Sequence, residues 1–333
     1  MAESILSRFF AGDVRALSRL LTLVEDGHPD SGRLLAAVYP RARHAYRIGL
    51  TGAPGAGKST LVNLLAAQQM GTGASVAVIA VDPTSAFTGG ALLGDRIRFD
   101  YPPPGPGQKP AFFRSAASRG HTGGLSRSTE EMAVLLDAFG YDRLLIESVG
   151  VGQVGLDIAE AADTTVVLLV PESGDGIQAE KAGLMEIADV LVVNKADRPG
   201  ADTLREDLRE AVRHRQAHRL PGWTPPIVTT RAQTGEGIAE LAAQIEAHRA
   251  FRLAQQGQEG LRRARLRQVL LNLLREEVRG AVNAAVAKGL LPDGRPLDPV
   301  LDDVLAGRQD PFAAARDAVA RLMAAAYAAP RGD

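Results

Sequence analysis

The sequence predicts an α/β protein built on a doubly wound, mostly parallel sheet, with helical extensions at its N- and C-terminal ends. Three observations lead there. Between about residues 47 and 230, seven short apolar runs recur, most of them continuously hydrophobic rather than alternating, as strands covered on both faces should be. Helix-patterned segments separate them, which is the layout of crossover connections between parallel strands. Finally, "IGLTGAPGAGKSTLVNLL" (48–65) runs from a strand pattern through glycines into a helix pattern.

Composition narrows the function classes. The 333 residues allow two domains, or one large α/β domain with extensions. Apolar content of 45% and charged content of 23% are ordinary for a globular chain. A net charge of −1 without a strongly basic region does not favour nucleic acid as a partner. The absence of cysteine removes disulfides, thiolate metal sites and cysteine nucleophiles together. No apolar run approaches the ~18 residues of a membrane span. The opening "MAESILSRFF" lacks a basic region followed by an apolar core, so the expectation is a cytoplasmic protein with no membrane partner.

Each element has its own signal. In "GDVRALSRLLTLVEDG", Val14, Leu17, Leu20, Leu21 and Val24 recur at spacings of three and four, with Asp13 as N-cap and Gly27 as stop. The expected strands are "YRIGLTG", "SVAVIAVD", "AFFRS", "DRLLIESVG", "TTVVLLVPE", "VLVVNKAD" and "PIVTT". "YPPPGPGQKP" (101–110) reads as a surface loop, because its prolines fit neither a helix nor a central strand. After about 236 the strands stop and a long, charged, amphipathic helical tract begins; "LLPDGRPLDP" breaks it before a last helical segment reaching about Tyr327. The expected division is an N-terminal helical extension (1–45), a nucleotide-binding domain (46–250) and a C-terminal helical arm (251–333).

The chemistry begins at residues 52–59. Gly52, Ala53, Pro54, Gly55, Ala56, Gly57, Lys58 and Ser59 fit G-x-x-x-x-G-K-[ST], followed by Thr60 and a helix. Glycines let consecutive backbone amides point at phosphate oxygens, and the helix start adds its positive end. Lys58 is expected to bridge the β- and γ-phosphates, and Ser59 to supply a ligand to Mg²⁺. Asn194, Lys195 and Asp197 form N-K-x-D at a strand end. A carboxylate there accepts two hydrogen bonds from guanine, whereas adenine offers no such donor pair. GTP and GDP are therefore expected over ATP, with Asn194 bracing the loop and the Lys195 stem over the base. In "TTRAQTGEG", Ala232 is expected to contact the base through its backbone, with Arg231 beside it.

Other residues are expected to sense the terminal phosphate. In "LLIESVGVGQ", Glu147 takes the place of the acidic residue that holds Mg²⁺, and Gly150 that of the amide donating to the γ-phosphate. Asp82, at a strand end, and Asp95, after a glycine-rich loop, are further metal or water-positioning candidates; a turn cap and an ordinary surface carboxylate are their plainer readings. Gln178 and Lys181, three apart, would share a helix face beyond Asp175, and by themselves an exposed helix start explains them equally well.

Together these pieces resemble the MeaB/ArgK-type GTPases, which include the human methylmalonic-aciduria type A protein. The resemblance runs through "VAVIAVDPTSAFTGGALLGDRIR", "SRGHTGGLSRSTEE", "IESVGVGQ", "GDGIQAEKAGLMEIAD", "NKAD" and "QDPFAAA". It implies a P-loop NTPase fold of the SIMIBI/G3E type and a GTPase that chaperones an adenosylcobalamin-dependent acyl-CoA mutase, chiefly methylmalonyl-CoA mutase. It also implies a homodimer through the C-terminal arm, and a third switch holding Asp175, Gln178 and Lys181. Val154-Gly155 stands where the family carries Ser-Glu after V-G-V-G-Q, and "GDGIQ" where a glutamate is common after the aspartate. A relative serving an isobutyryl-, ethylmalonyl- or hydroxyisobutyryl-CoA mutase stays open on those residues. Two rival classes are a GTPase that inserts nickel and a P-loop kinase. The first calls for clustered Cys and His ligands, and the chain has no Cys and six scattered His.

Overall fold

The computed structural model describes residues 2–42, 45–82, 101–117, 127–148, 158–171, 178–214 and 221–328. The chain divides into two compact units, Met1–Val269 and Leu270–Asp333.

The first unit is organised by a seven-stranded sheet: β1 (Tyr46–Gly52), β2 (Val76–Asp82), β3 (Phe112–Ala117), β4 (Arg143–Ser148), β5 (Thr164–Leu169), β6 (Val190–Asn194) and β7 (Ile227–Thr230). The strands lie in the order β3-β2-β4-β1-β5-β6-β7, and every pair is parallel. All seven expected strands are present, and the sheet is fully parallel where a mostly parallel one was expected.

Layers of helices explain why the strands read as unbroken apolar runs. On one face, α4 (Lys58–Gly71) and the start of a long helix pack Leu61, Leu65, Leu241 and Ile245 with Ile48, Leu50, Val166 and Leu168. On the other, α1 (Ala2–Phe10), α2 (Val14–Glu25), α3 (Ser31–Val38) and α5 (Arg127–Phe139) pack with Ile79 and Ile146. Next to them α6 (Gln178–Ile187) and α7 (Ala201–His214) enclose Val167, Leu169 and Val193. Within β5, alternate residues thus serve opposite layers, and both sets are buried.

The N-terminal helices share the core of the sheet. Asp13 caps α2, its Oδ1 accepting from the amides of Arg15 at 2.8 Å and Ala16 at 3.4 Å. Leu17, Leu20, Leu21 and Val24 are buried as their spacing indicates. Val14, the first residue of the helix, is not: it is 39% exposed. On the same side of the sheet, Arg47 is buried with Glu130, Nη1 to Oε2 at 2.7 Å.

The expected C-terminal tract is α8 (Ile238–Val286), interrupted at Gly257, whose φ of 67° and ψ of 173° lie outside helical values. A glycine there turns the chain at no steric cost. In the second unit the final segment is two helices rather than the single one expected. These are α9 (Leu297–Leu305) and α10 (Pro311–Ala328), separated by a turn that includes Gly307 at φ 69°. Among the described residues no helix is long and apolar enough to cross a membrane.

The shared core yields a prediction. Leu20 is fully buried under α2, so Leu20→Ala should lower the stability of the sheet unit by about 2–5 kcal/mol. Urea unfolding followed by a signal from the sheet measures it; a loss confined to a separate N-terminal transition would contradict the shared core.

Candidate functional site

The site is built at the carboxyl ends of the strands, where open parallel sheets place their ligand crevices. β1 ends at Gly52, five residues turn, and α4 begins at Lys58. The turn is tight because another side chain fills it. Gly57 has a φ of 89°, and a Cβ on it would lie 2.6 Å from Nδ2 of Asn194. Only glycine supplies that φ and that space together.

Asn194, the last residue of β6, is 1% exposed and satisfies three segments. Its Nδ2 donates to the Ala56 carbonyl at 2.7 Å. Its Oδ1 accepts from Thr230 Oγ1 at 2.9 Å and from the Ala232 amide at 3.2 Å. The β6–β7 register places Asn194 opposite Thr230, which makes the first of those two contacts a cross-strand pair. One amide side chain therefore fixes the phosphate-type loop to the ends of β6 and β7.

Beyond it opens a cavity of about 110 Å³, lined among others by Gly57, Thr60, Lys195, Asp197, Arg231 and Ala232. Asp197 is exposed there and has no hydrogen bond or ion pair among the described residues. Lys195 adopts a φ of 56°, the left-handed conformation that turns the chain after the strand. Arg231 pairs through Nη1 with Glu236 at 2.9 Å, closing a small loop.

On the other side of the loop, Lys58 is 6% exposed, and its Nζ donates to the carbonyls of Gly52 at 2.7 Å and Ala53 at 2.9 Å. Burial pulls its pKa below the ordinary lysine value, and the neighbouring Glu147 carboxylate opposes that pull. Ser59 Oγ donates to Glu147 Oε1 at 2.6 Å. Glu147 reaches the site because it lies in β4 opposite Leu50 of β1. Pro54 and Gly55 form the exposed crest of the loop.

The structure thus gathers Gly52 to Thr60, Glu147, Asn194, Lys195, Asp197, Arg231 and Ala232 at one end of the sheet. Asp82 ends β2 at the same end, but its side chain is outside the described residues, as are those of Gln178 and Lys181, which stand in the first turns of α6. Asp95, Gly150, Asp175 and the Val154-Gly155 departure all lie outside the described residues.

Two residues escaped the sequence reading. Asn63, one turn into α4, donates through Nδ2 to the Ser59 carbonyl and accepts from Tyr101 Oη at 2.8 Å. Tyr101 belongs to the stretch read as a surface loop; Pro102 to Pro104, Pro106, Gly107 and Pro110 are exposed as that reading requires, whereas Tyr101 and Gln108 are half-buried. Burial, then the Glu147 charge, pushes the Tyr101 phenol up to about 12. Gln108 from the same stretch donates to the Met70 and Ala74 carbonyls at 2.8 and 3.1 Å. The one sequence signal was an aromatic residue heading a proline run.

Comparison with known proteins gives a consistent picture. The family described as "Methylmalonyl Co-A mutase-associated GTPase MeaB" matches residues 17–287. A Pyrococcus abyssi protein named as a GTPase is 44% identical over 291 residues, 87% of this chain and 89% of its own length. Escherichia coli GTPase ArgK is 38% identical over 247 residues, covering 72% of this chain and 73% of its own. A solved structure titled LAO/AO transport system kinase superposes with a TM-score of 0.71 at 26% identity, covering 98% of this chain and 97% of that one.

The threefold role of Asn194 makes it the test of the site's construction. Asn194→Ala leaves a buried carbonyl, hydroxyl and amide without their partner, so stability should fall by about 2–4 kcal/mol. Guanine nucleotide affinity should fall with it. Urea unfolding and nucleotide titration on the same preparation check both, and unchanged stability would contradict the tie.

Proposed function

Because this chain belongs to the MeaB family of GTPases, we propose that it is a GTP-hydrolysing chaperone acting on an adenosylcobalamin-dependent acyl-CoA mutase, methylmalonyl-CoA mutase or a relative of it. In this reading it gates the loading, protection or reactivation of the mutase cofactor, as a cytoplasmic homodimer. The observation that carries the nucleotide assignment is the Asp197 carboxylate, without a partner among the described residues, at a cavity fixed to the phosphate loop by Asn194.

GTP binds with its phosphates on the Gly52–Thr60 loop and its base against Lys195, Asp197, Arg231 and Ala232. The buried Lys58 ammonium exchanges two backbone carbonyls for phosphate oxygens, whose negative charge offsets the desolvation that lowers its pKa. Ser59 and Glu147 offer a hydroxyl and a carboxylate oxygen 2.6 Å apart, a hard donor set that suits Mg²⁺. They would hold the ion, which when bound neutralises phosphate charge. Water attacks the γ-phosphate while Lys58 and the backbone amides stabilise the charge that develops. Asp82, Asp95, Gly150, Gln178 and Lys181 are the proposed switch residues that register loss of that phosphate. No described side chain serves as a strong built-in base, and slow turnover raised by the partner follows from that.

The homodimer assignment draws on the second unit. Leu270, Leu274 and Val278 recur every four residues along α8 and are 52–60% exposed. Phe312 and Leu305 are 73% and 84% exposed. A 64-residue unit with so much apolar surface uncovered is suited to pairing with a copy of itself.

Two outcomes follow. Asp197→Asn removes the acceptor pair for guanine and should weaken GTP binding about hundredfold or more, with ATP binding barely altered; equal losses for both nucleotides would overturn the base assignment. GTP turnover measured with the cognate mutase should exceed turnover alone by at least about tenfold, and equal rates would remove the coupled model of function.

A further inference from the structure

A second cavity lies at the opposite end of the sheet, among residues that the nucleotide site does not use. Tyr46 opens β1, Arg143 opens β4 and Asp163 immediately precedes β5. The remaining wall comes from both sides of the Gly257 break in α8, with Arg249 before it and Arg262 and Arg265 after it. The cavity measures about 140 Å³. That suits a compact ion, since sites for larger organic ligands run to ~300 Å³ and above.

Its charge is unbalanced. Arg265 Nη1 is committed to Asp163 Oδ2 at 2.8 Å and to the Ala45 carbonyl at 2.9 Å. The same Asp163 oxygen also accepts from the Arg47 amide at 2.9 Å, so the one carboxylate in the wall is engaged from two sides. Arg143 and Arg249 share a single carboxylate outside the wall, Glu246, at 3.0 and 3.1 Å. Arg262 makes no ion pair or hydrogen bond among the described residues. The Nε of Arg143 is buried without an acceptor among the described residues. Four guanidiniums thus face two carboxylates, and two of the four have donors to spare.

The donors are also held in place. The guanidinium carbons of Arg143 and Arg249 lie 5.9 and 5.5 Å from the centre of the Tyr46 ring. The Tyr46 hydroxyl in turn shares a 2.5 Å hydrogen bond with Thr164 Oγ1. Planar forks held near a fixed ring lose little freedom on meeting an oxyanion. Like charges gathered in a half-buried wall repel, and an anion between them converts that repulsion into attraction.

We propose that this cavity binds a compact oxyanion of the phosphate class, held by Arg262 and Arg143 with Arg249 beside them. The ion joins the segment after Gly257 to the strand starts and so braces the root of α8. Free phosphate and the phosphate end of a phosphomonoester share this chemistry.

The test uses the full chain loaded with GDP and Mg²⁺, so that the phosphate loop is already filled. Inorganic phosphate and glycerol 3-phosphate are titrated separately by calorimetry, wild type against Arg262→Ala. At least one anion should bind with a single-site isotherm. The substitution should weaken that binding about tenfold, the worth of one charge-assisted hydrogen bond, while leaving the rate of GTP hydrolysis unchanged. Binding of inorganic phosphate alone assigns the site to the free ion; binding of the ester, alone or as well, admits a phosphate-bearing ligand. Arg262 has no side-chain partner among the described residues and its removal relieves repulsion among the arginines, so in the absence of anion the variant should unfold at or above the wild-type midpoint. Arg262→Gln gives the same comparison if Arg262→Ala proves unstable. No heat from either anion, or equal binding constants in wild type and variant, overturns the proposal.

Discussion

The side chain of Asn194 is the constraint on which the nucleotide site depends. It joins the Ala56 carbonyl, in the phosphate-type loop, to Thr230 and Ala232 at the far edge of the sheet. Hydrogen bonds of this kind are each worth about 1 kcal/mol net, yet cost more when one partner is removed and the others stay buried. The geometry follows from that asymmetry. A loop that must approach a buried amide needs glycine at position 57, and a strand that must present the amide to two neighbours needs the register Asn194 opposite Thr230. Loop and neighbouring cavity cannot shift independently while those bonds hold.

A parallel sheet makes such a junction possible. Since β1, β4, β6 and β7 all run the same way, Gly52, Glu147, Asn194 and Thr230 fall at one end without any long excursion of the chain. The continuous apolar patterning of the strands contributes to function through this route. It permits helices on both faces, which forces crossovers, which keep the strands parallel. The opposite end collects the strand starts, and there the arginines gather instead.

Lys58 and Glu147 show how the site is set before a ligand arrives. The ammonium is buried against two carbonyls of its own loop and stays near a buried carboxylate. Both groups sit in surroundings that favour an opposite charge. In the proposed function, phosphate would supply one for Lys58, and a divalent cation would supply one for Glu147 and Ser59. Tyr101 and Asn63 continue the arrangement outward along α4, so the chain on the far side of the undescribed 83–100 segment is anchored beside the same carboxylate.

The sequence by itself determined the seven strands, the phosphate-type loop and the N-K-x-D cluster, because each rests on neighbours within a few residues: period, glycine spacing, a strand end. It also determined the α2 cap and most of its buried face, apart from Val14. What it did not contain was distance in space. Asn194 and Ala56 are 138 residues apart, Tyr101 reaches Asn63 across 38, and the arginine-lined cavity joins α8 to residues at the starts of three strands. Side chains such as these are ordinary polar residues in their local windows. Only when tertiary folding removes water and brings their partners within about 3 Å does a lone arginine or asparagine acquire a role, and no local pattern records which partner that will be.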